Sequence, residues 1–205
     1  MKKIAVFASG GGTDFQSVID ANAKENFCEI KYLVASKPEI GAINRAQKAG
    51  IECLVYDKSV YANITEFYAF LTQTFQKDGI DLIVLAGWLL IIPEHFISDF
   101  ENKIINIHPA LLPSFGGKGY YGLNVHKAVL EYGAKLSGAT VHFVSGEVDG
   151  GAIIMQRAVE VKFDDTPESL QERILKEEHI ILPLCVKLFC EGKILKSGRQ
   201  VRVLD

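Results

Sequence analysis

Short apolar runs alternate with segments of helical periodicity along the first half of this 205-residue chain. A brief apolar run without polar alternation is typical of a strand that is buried on both faces of a parallel sheet. The segments between these runs are long enough to form helices that cross back over the sheet. The alternation therefore predicts an α/β fold with a doubly wound, mostly parallel sheet.

The individual elements can be placed from the same patterns, and the expected sheet is Rossmann-like. In the first half we expect strands at residues 4–8, 30–36, 52–56, 81–86 and 104–107, with helices after residue 12 and at residues 42–49 and 64–75. In the second half we expect a helix at residues 123–131, an antiparallel hairpin of strands 140–144 and 153–161, a long helix over residues 167–190 and an edge strand at residues 201–203. Pro167 suits the first turn of the long helix, where a missing N–H costs nothing.

Composition limits the classes of partner. The formal net charge of −3 argues against general nucleic-acid binding, which usually needs a basic surface. No apolar run approaches the length of a membrane span, so we expect no membrane partner. The apolar start of the chain is too short for a signal peptide, and the four cysteines form no C-x-x-C pair. These observations predict a cytoplasmic protein with reduced thiols.

A glycine-rich loop follows the first predicted strand. Residues 9–14 read Ser-Gly-Gly-Gly-Thr-Asp and lead into the first helix. Glycines let the backbone approach an anion closely, and a helix N-terminus presents N–H groups to it. Phe15 stands where a dinucleotide-binding loop would have its third glycine, which favours a phosphate over a whole dinucleotide. The alternative is a tight turn in which Thr13 or Asp14 caps the helix.

Two polar side chains emerge at the end of the fifth predicted strand. Asn106 and His108 alternate with apolar neighbours and therefore point to the same side. Open parallel sheets bind ligands at the carboxyl ends of their strands, and Pro109 prevents an ordinary helical continuation. An amide and an imidazole that converge on one point can hold an oxyanion and donate a proton. The alternative is a hydrogen-bonded buried histidine beside an asparagine turn, but the pairing favours a site.

The residues alone leave the roles of two acidic positions undecided. Asp149 lies in the glycine turn of residues 145–151, which is a simple hairpin tip on one interpretation. On the other, the turn lies near His108, and the Asp149 carboxylate favours the imidazolium form of that residue. Glu178 and His179 lie on the long helix, where charged residues usually form a solvated surface. The H-E-x-x-H arrangement is absent and no other residues have the spacing of metal ligands, so we expect no metal.

Taken together, these segments resemble the glycinamide ribonucleotide formyltransferase family over nearly the whole chain. The resemblance is carried by Ser-Gly-Gly-Gly-Thr at residues 9–13, Val-Leu-Ala-Gly-Trp at 84–88, Asn-Ile-His-Pro-Ala-Leu-Leu-Pro at 106–113, Gly-Ala-Thr-Val-His-Phe-Val at 138–144, Asp-Gly-Gly at 149–151 and Glu-His at 178–179. The Asn-x-His-Pro segment also occurs in other folate-dependent formyltransferases, so the combination of motifs is the more specific signal.

The resemblance implies transfer of a formyl group from the co-substrate 10-formyltetrahydrofolate to the amine of glycinamide ribonucleotide, a step of purine synthesis. The family's catalytic positions fall on Asn106, His108 and Asp149. Its substrate-binding positions fall on Gly12, Thr13, Asp14, Asn106 and Glu178. Its folate-binding positions fall on Leu89, Leu90, Ile91, Ile92, Ser145, Gly146, Glu147, Val148 and Asp149.

The resemblance also implies the organisation of the chain. We expect a single domain over residues 1–205, with a nucleotide- and phosphate-binding half at residues 1–109 and a folate-binding half at residues 110–205. The partners implied are the two small-molecule substrates, without nucleic acid or membrane. A homodimer is compatible with the sequence, which does not fix the oligomeric state.

The implied roles make chemical sense. An amine that attacks the formyl carbon produces a tetrahedral species with a negative oxygen, which protonated His108 and the amide of Asn106 would stabilise. Asp149 would raise the pKa of His108 and help to remove a proton from the amine. The reaction requires neither a covalent intermediate nor a metal.

Three positions depart from the family pattern. Family members often have asparagine at the position of Asp14, and many have arginine at the positions of Ile64 and Leu90. A carboxylate beside a phosphate is unfavourable unless it points away and caps the helix. We expect Lys118, in the glycine-rich loop of residues 116–122, to supply some of the missing positive charge as part of a mobile lid.

Three rival functions are open at this point. Methionyl-tRNA formyltransferases share the Asn-x-His-Pro centre but carry a C-terminal tRNA-binding domain, and formyltetrahydrofolate hydrolases carry an N-terminal regulatory domain. We expect neither added domain in a chain of this length. A non-catalytic nucleotide-binding module would use the glycine loop but would not need Asn106, His108 and Asp149.

Overall fold

The computed structural model describes residues 1–204 and contains the expected alternation of strands and helices. In chain order the elements are β1 (Lys2–Ala8), α1 (Thr13–Glu25), β2 (Cys28–Ala35), α2 (Gly41–Lys48), β3 (Glu52–Val55), α3 (Ile64–Asp78), β4 (Leu82–Leu85), α4 (Glu94–Asp99), β5 (Ile104–His108), α5 (Leu123–Tyr132), β6 (Leu136–Phe143), β7 (Ile153–Glu160), α6 (Pro167–Cys190), β8 (Ile194–Ser197) and β9 (Gln200–Val203). Seven strands form one sheet in the order β3-β2-β1-β4-β5-β6-β7, and β8 and β9 form a separate two-stranded sheet. The predicted fold class is confirmed.

The chain divides into two compact units, one of residues 1–105 and one that begins at Asn106. In the first unit, β2 pairs with β1 and β3, and β1 pairs with β4, all in parallel. The connections from β1 to β3 run in one direction along the sheet, whereas the next connection returns to the other side of β1. Because crossovers are right-handed, α1 and α2 cover one face and α3 covers the other. The carboxyl ends of β1 and β4 thus form a topological switch point, where such sheets bind ligands.

Aromatic rings fill much of the core of the first unit. Phe7, Phe75 and Phe96 are fully buried, and their rings contact one another in tilted or T-shaped geometry. The ring of Trp88, just after β4, lies 5.0 Å from that of Phe7 between centroids. Its indole N–H donates to the hydroxyl of buried Tyr68 at 2.9 Å. These contacts fix the start of the loop after β4, which borders the switch point.

The second unit is organised around the antiparallel pair of β6 and β7, as predicted. Helix α6 packs against both strands and against α5. It begins with a capping box, because the Thr166 side chain accepts from the Ser169 N–H at 3.2 Å and the Ser169 hydroxyl accepts from the Thr166 N–H at 3.0 Å. Pro167 occupies the first turn of the helix, which confirms the predicted start.

Two elements were not predicted. β8 pairs with β9, so the predicted edge strand is one arm of a C-terminal hairpin. The sequence of β8 carries lysine and serine in place of an apolar run, which hides it from a pattern based on burial. Helix α4 is only six residues long, too short to show helical periodicity. No helix within residues 1–204 is both long and apolar enough to cross a membrane.

Gly12→Ala should destabilise the fold. Gly12 has φ 72°, and an added Cβ would lie 2.7 Å from the Cβ of Ala42 on α2. Backbone strain of this kind costs about 1–3 kcal/mol, which urea unfolding would measure. Gly10→Ala is the matched control, because an added Cβ at Gly10 has no neighbour within 4 Å. Equal stability of the two variants would contradict this origin of the strain.

Candidate active site

The glycine loop lies at the switch point of the first unit. Gly12 is the N-cap residue of α1, and no side-chain hydrogen bond caps the helix within the described residues. The first intrahelical bond runs from the Gln16 N–H to the Gly12 carbonyl at 2.9 Å. The first turn of α1 therefore presents its N–H groups at this end, as an anion site requires. The alternative prediction, a turn capped by Thr13 or Asp14, is wrong.

The glycine loop packs closely against the start of α2. An added Cβ at Gly41 would lie 3.1 Å from the Cα of Gly11. The Ala42 N–H donates to the Gly10 carbonyl at 3.1 Å, and Nε of Arg45 donates to the Gly11 carbonyl at 2.7 Å. These bonds engage carbonyl oxygens whose partial negative charge would otherwise repel an anion bound here.

Ser9 connects the glycine loop to the loop after β4. Its N–H donates to the Gly87 carbonyl at 3.1 Å, and its hydroxyl accepts from the Leu89 N–H at 3.0 Å. The side chains of Leu89 and Ile91 are 60% and 86% exposed, so large apolar groups face solvent near this point. Within the first unit, the structure brings the predicted phosphate loop beside the first of the predicted folate residues.

Asp14 lies in the first turn of α1 but does not cap it. Its Oδ1 is buried, and burial raises the pKa of this carboxyl to about 6. A carboxyl that holds its proton up to a higher pH repels a nearby phosphate less than an ordinary aspartate does. The surroundings of Asp14 therefore reduce the repulsion that this departure from the family pattern would cause.

His108 and Asp149 meet in the second unit. His108 is 4% exposed at the end of β5, and its Nδ1 lies 3.6 Å from Oδ2 of Asp149. Its Nε2 lies 2.8 Å from the carbonyl oxygen of Phe115, which can only accept, so Nε2 carries a proton. The Gly117 N–H donates to Oδ2 of Asp149 at 2.9 Å. Residues 114–119, which we call the strap, therefore contact both side chains.

His142, which the sequence analysis did not single out, completes the cluster. Its Nδ1 lies 2.9 Å from the Phe143 carbonyl and so carries the proton, which leaves Nε2 to accept from the Asn106 amide at 3.1 Å. Nε2 also lies 3.6 Å from Oδ1 of Asp149. The arrangement fixes the orientation of the Asn106 amide, because a flipped amide would set two acceptors face to face. The signal for His142 was its alternation with Thr140 along an otherwise apolar strand.

Thr140 secures the turn that follows β5. Its hydroxyl donates to the Ala110 carbonyl at 2.6 Å and accepts from the Leu112 N–H at 3.1 Å. The side-chain amide of Gln156 donates to the Leu112 carbonyl at 2.9 Å. The two strands of the hairpin thus hold the segment that leads from His108 into the strap.

Burial and neighbouring charges shift the pKa values of His108 and Asp149. Burial lowers the pKa of His108 below its ordinary value, and the charge of Asp149 raises it only in part. Burial raises the pKa of Asp149, but the neighbouring imidazoles of His142 and His108 and the Gly117 N–H together lower it. The charge of Asp149 thus acts on the His108 pKa in the predicted direction, but desolvation outweighs it, and the pKa of His108 in the free site lies below its ordinary value.

A cleft of about 250 Å³ lies beside Asp149 within the second unit. Predicted folate residues and unpredicted ones both line it, among them Glu147, Val148, Asp149, Gly116, Gly117 and Arg199. Ser145 and Gly146 belong to the same predicted set but do not line this cleft. In residues 1–204, no group of three or more His, Cys, Asp or Glu side chains is arranged to hold a metal ion.

Two further buried polar side chains lie in the second unit. Glu178, in the middle of α6, is 7% exposed, so the alternative of a solvated helix surface is wrong at this position. Buried carboxylates are uncommon unless they have a role or a partner. His126 of α5 is also buried, and burial followed by the charge of His108 lowers its pKa to about 4. The sequence did not predict that either side chain is buried.

Asp149→Asn should lower the pKa of His108 further, because the substitution removes the carboxylate charge that raises it. NMR titration of the imidazole Cε1–H signals would measure the change. Asp164→Asn, which removes an exposed carboxylate, is the control. A His108 pKa that stays constant or rises in Asp149→Asn would refute the coupling between the two groups.

Known proteins match this chain over most of its length. Residues 2–186 match a family model described as formyl transferase. The chain is 43% identical over 195 residues to the chloroplastic phosphoribosylglycinamide formyltransferase of Vigna unguiculata, and the match covers 95% of this chain and 62% of that protein. It is 38% identical to the phosphoribosylglycinamide formyltransferase of Haemophilus influenzae, and this match covers 95% of this chain and 90% of that protein.

A solved structure agrees with the sequence matches. The crystal structure of glycinamide ribonucleotide transformylase 1 from Symbiobacterium toebii has a TM-score of 0.91 and 40% identity to this chain. The likeness covers 100% of this chain and 95% of that one. The chain thus spans less than two thirds of the plant relative and nearly the full length of the bacterial ones.

Proposed function

This chain belongs to the formyl transferase family, among the phosphoribosylglycinamide formyltransferases, and we propose that it transfers the formyl group of 10-formyltetrahydrofolate to the amine of glycinamide ribonucleotide. The products are the N-formyl ribonucleotide and tetrahydrofolate, in the synthesis of purines. The observation that carries this proposal is the cluster of Asn106 and Asp149 with the buried His108 and His142 in the second unit.

The reaction needs one proton acceptor and two hydrogen-bond donors. The amine nitrogen forms a bond to the formyl carbon, and the carbonyl electron pair moves to the oxygen. One amine proton leaves to a base, and the folate nitrogen takes a proton as its bond to the formyl carbon breaks. Side chains aimed at the developing oxyanion lower the barrier for this step.

The depressed pKa values suit the His108–Asp149 pair to the role of base. At neutral pH the imidazole is neutral and the carboxylate is ionised. A proton that arrives at Nδ1 of His108 lies between the ring and Oδ2 of Asp149, across a gap of 3.6 Å. The carboxylate then stabilises the imidazolium, which is the better donor to an oxyanion.

The donors follow from the hydrogen bonds of the free site. Asn106 gives one amide hydrogen to His142, which leaves its second amide hydrogen for the oxyanion. His108 turns Nδ1 toward Asp149, so Nε2–H is its donor to the substrate. In the free site this N–H meets the Phe115 carbonyl, so substrate binding exchanges that hydrogen bond for one to the formyl oxygen.

The binding roles are assigned to the positions that the family resemblance implies. The phosphate is assigned to the loop of Gly12, Thr13 and Asp14, with support from the uncapped N-terminus of α1. The glycinamide and ribose end is assigned to Asn106 and Glu178, with support from the burial of Glu178. The folate is assigned to Leu89, Leu90, Ile91, Ile92, Ser145, Gly146, Glu147, Val148 and Asp149.

One assay tests the proposed activity. The protein is mixed with 10-formyltetrahydrofolate, and the release of tetrahydrofolate is followed with and without glycinamide ribonucleotide. We expect release that depends on the ribonucleotide. Release without it would indicate hydrolysis, and ribonucleotide binding without release would indicate a non-catalytic module.

Asn106→Ala, His108→Ala and Asp149→Ala should each lower kcat by at least about a hundredfold, since each removes a donor or the base from the transition state. Asp164→Ala, which removes an exposed carboxylate outside the cluster, should leave kcat unchanged. Near-normal kcat in a folded variant would remove that residue from the mechanism.

Lys118→Ala should raise the Michaelis constant of one or both substrates several-fold, because Lys118 is proposed to offset the charge missing at Ile64 and Leu90. The lysine is exposed between Gly117 and Gly119, whose φ values of 93° and 97° favour glycine. Lys127→Ala, at an exposed lysine of α5, is the control. Michaelis constants that do not change in Lys118→Ala would exclude this role.

A further inference from the structure

The C-terminal hairpin of β8 and β9 reaches the turn that carries Asp149. Arg199 lies between the two strands, after Gly198 with φ 58°. Its Nη1 donates to the carbonyl of Gly150 at 3.0 Å. Strand β9 also packs against β7, the strand that leaves this turn. The hairpin lies beyond residues 2–186 that the family model matches.

The turn of residues 145–151 contains a strained backbone conformation. Asp149 has φ 55°, a left-handed conformation that costs free energy for any residue with a Cβ. Within the turn, the Gly150 N–H donates to the Glu147 carbonyl at 3.1 Å, and the Ser145 hydroxyl donates to the same oxygen at 3.2 Å. These local bonds shape the turn, but they do not tie it to another element.

The aim of the Asp149 carboxylate depends on this backbone. Its two oxygens each lie 3.6 Å from an imidazole nitrogen, one of His108 and one of His142. A small rotation at Asp149 would lengthen one of these distances while it shortens the other. At the far end of the turn, an added Cβ at Gly151 would overlap the Phe143 carbonyl oxygen, so the exit from the turn is fixed by close packing.

We propose that Arg199 is a positioning residue that braces the turn of residues 145–151, so that Asp149 stays aimed at His108 and His142. Arginine suits this role because a charged donor makes a stronger hydrogen bond to a carbonyl than a neutral donor does. Its planar guanidinium also loses less freedom per bond than a lysine would. The effect of Arg199 on catalysis rests on the proposed function, whereas its support of the turn is a property of the fold.

The first test measures the brace without any assay of activity. Hydrogen–deuterium exchange of peptides covering residues 145–152 should be about fivefold faster in Arg199→Ala than in the wild type, because loss of one exposed hydrogen bond eases local opening by about this factor. Arg202→Ala removes an exposed arginine from the same hairpin and should leave this exchange unchanged. Exchange that does not differ between Arg199→Ala and Arg202→Ala would overturn the brace.

The second test measures the consequence for the reaction. Arg199→Ala should lower kcat about fivefold and leave both Michaelis constants within about twofold, since the aim of Asp149 matters most in the transition state. Arg199→Lys should recover part of the loss, and millimolar guanidinium should recover part of it in Arg199→Ala. Arg202→Ala should have wild-type kcat.

The outcomes separate the brace from the function. Faster exchange with wild-type kcat in Arg199→Ala would overturn the positioning role. A loss of kcat that follows a fall in Tm and recovers neither with lysine nor with guanidinium would also overturn it, in favour of a merely structural role. A wild-type protein that does not formylate the ribonucleotide would refute the proposed function, while the exchange comparison would still decide the brace.

Discussion

Desolvation lowers the pKa of His108 and the charge of Asp149 raises it, and the balance of these two effects determines the protonation of His108 in the second unit. Burial alone would lower the pKa of the imidazole so far that it would be a poor proton acceptor, whereas an exposed histidine would keep its ordinary pKa. With an ionised carboxylate 3.6 Å from Nδ1, the ring is neutral at rest yet has a site where an incoming proton is stabilised. The strap supports both partners, through the Phe115 carbonyl on His108 and the Gly117 N–H on Asp149.

That balance depends on geometry that several elements supply. His142 fixes the Asn106 amide, and Thr140 holds the turn after β5, so one strand orients both the amide and the backbone that follows His108. The turn of residues 145–151 carries the carboxylate in a conformation that asparagine or glycine would adopt more easily. Such strain persists at a site only where the surroundings hold it, and the Arg199 contact is one candidate for that support.

In the first unit, close packing shapes the glycine loop after β1. Gly12 lies against Ala42 and Gly11 lies against Gly41, so close packing on α2 shapes the loop that is predicted to bind the phosphate. One geometric requirement thus produces both consequences, a tight turn and a helix N-terminus with its N–H groups exposed. Asp14, which looked unfavourable beside a phosphate, has a raised pKa because it is buried, not because it caps the helix.

The sequence by itself determined the order of strands and helices, the antiparallel pair and the start of α6, because apolar periodicity and capping residues act locally. It also pointed to Asn106 and His108, since polar residues that interrupt a buried strand stand out, and family resemblance added Asp149. Only the tertiary structure decided that His142 joins them, that Glu178 is buried, that Gly12 caps α1 and that β8 exists. It also decided that desolvation lowers the pKa of His108 despite the charge of Asp149. The contact of His142 with Asn106, the burial of Glu178 and the lowered pKa of His108 depend on residues far apart in the chain and on the water that their packing excludes. Neither leaves a periodic pattern in the sequence.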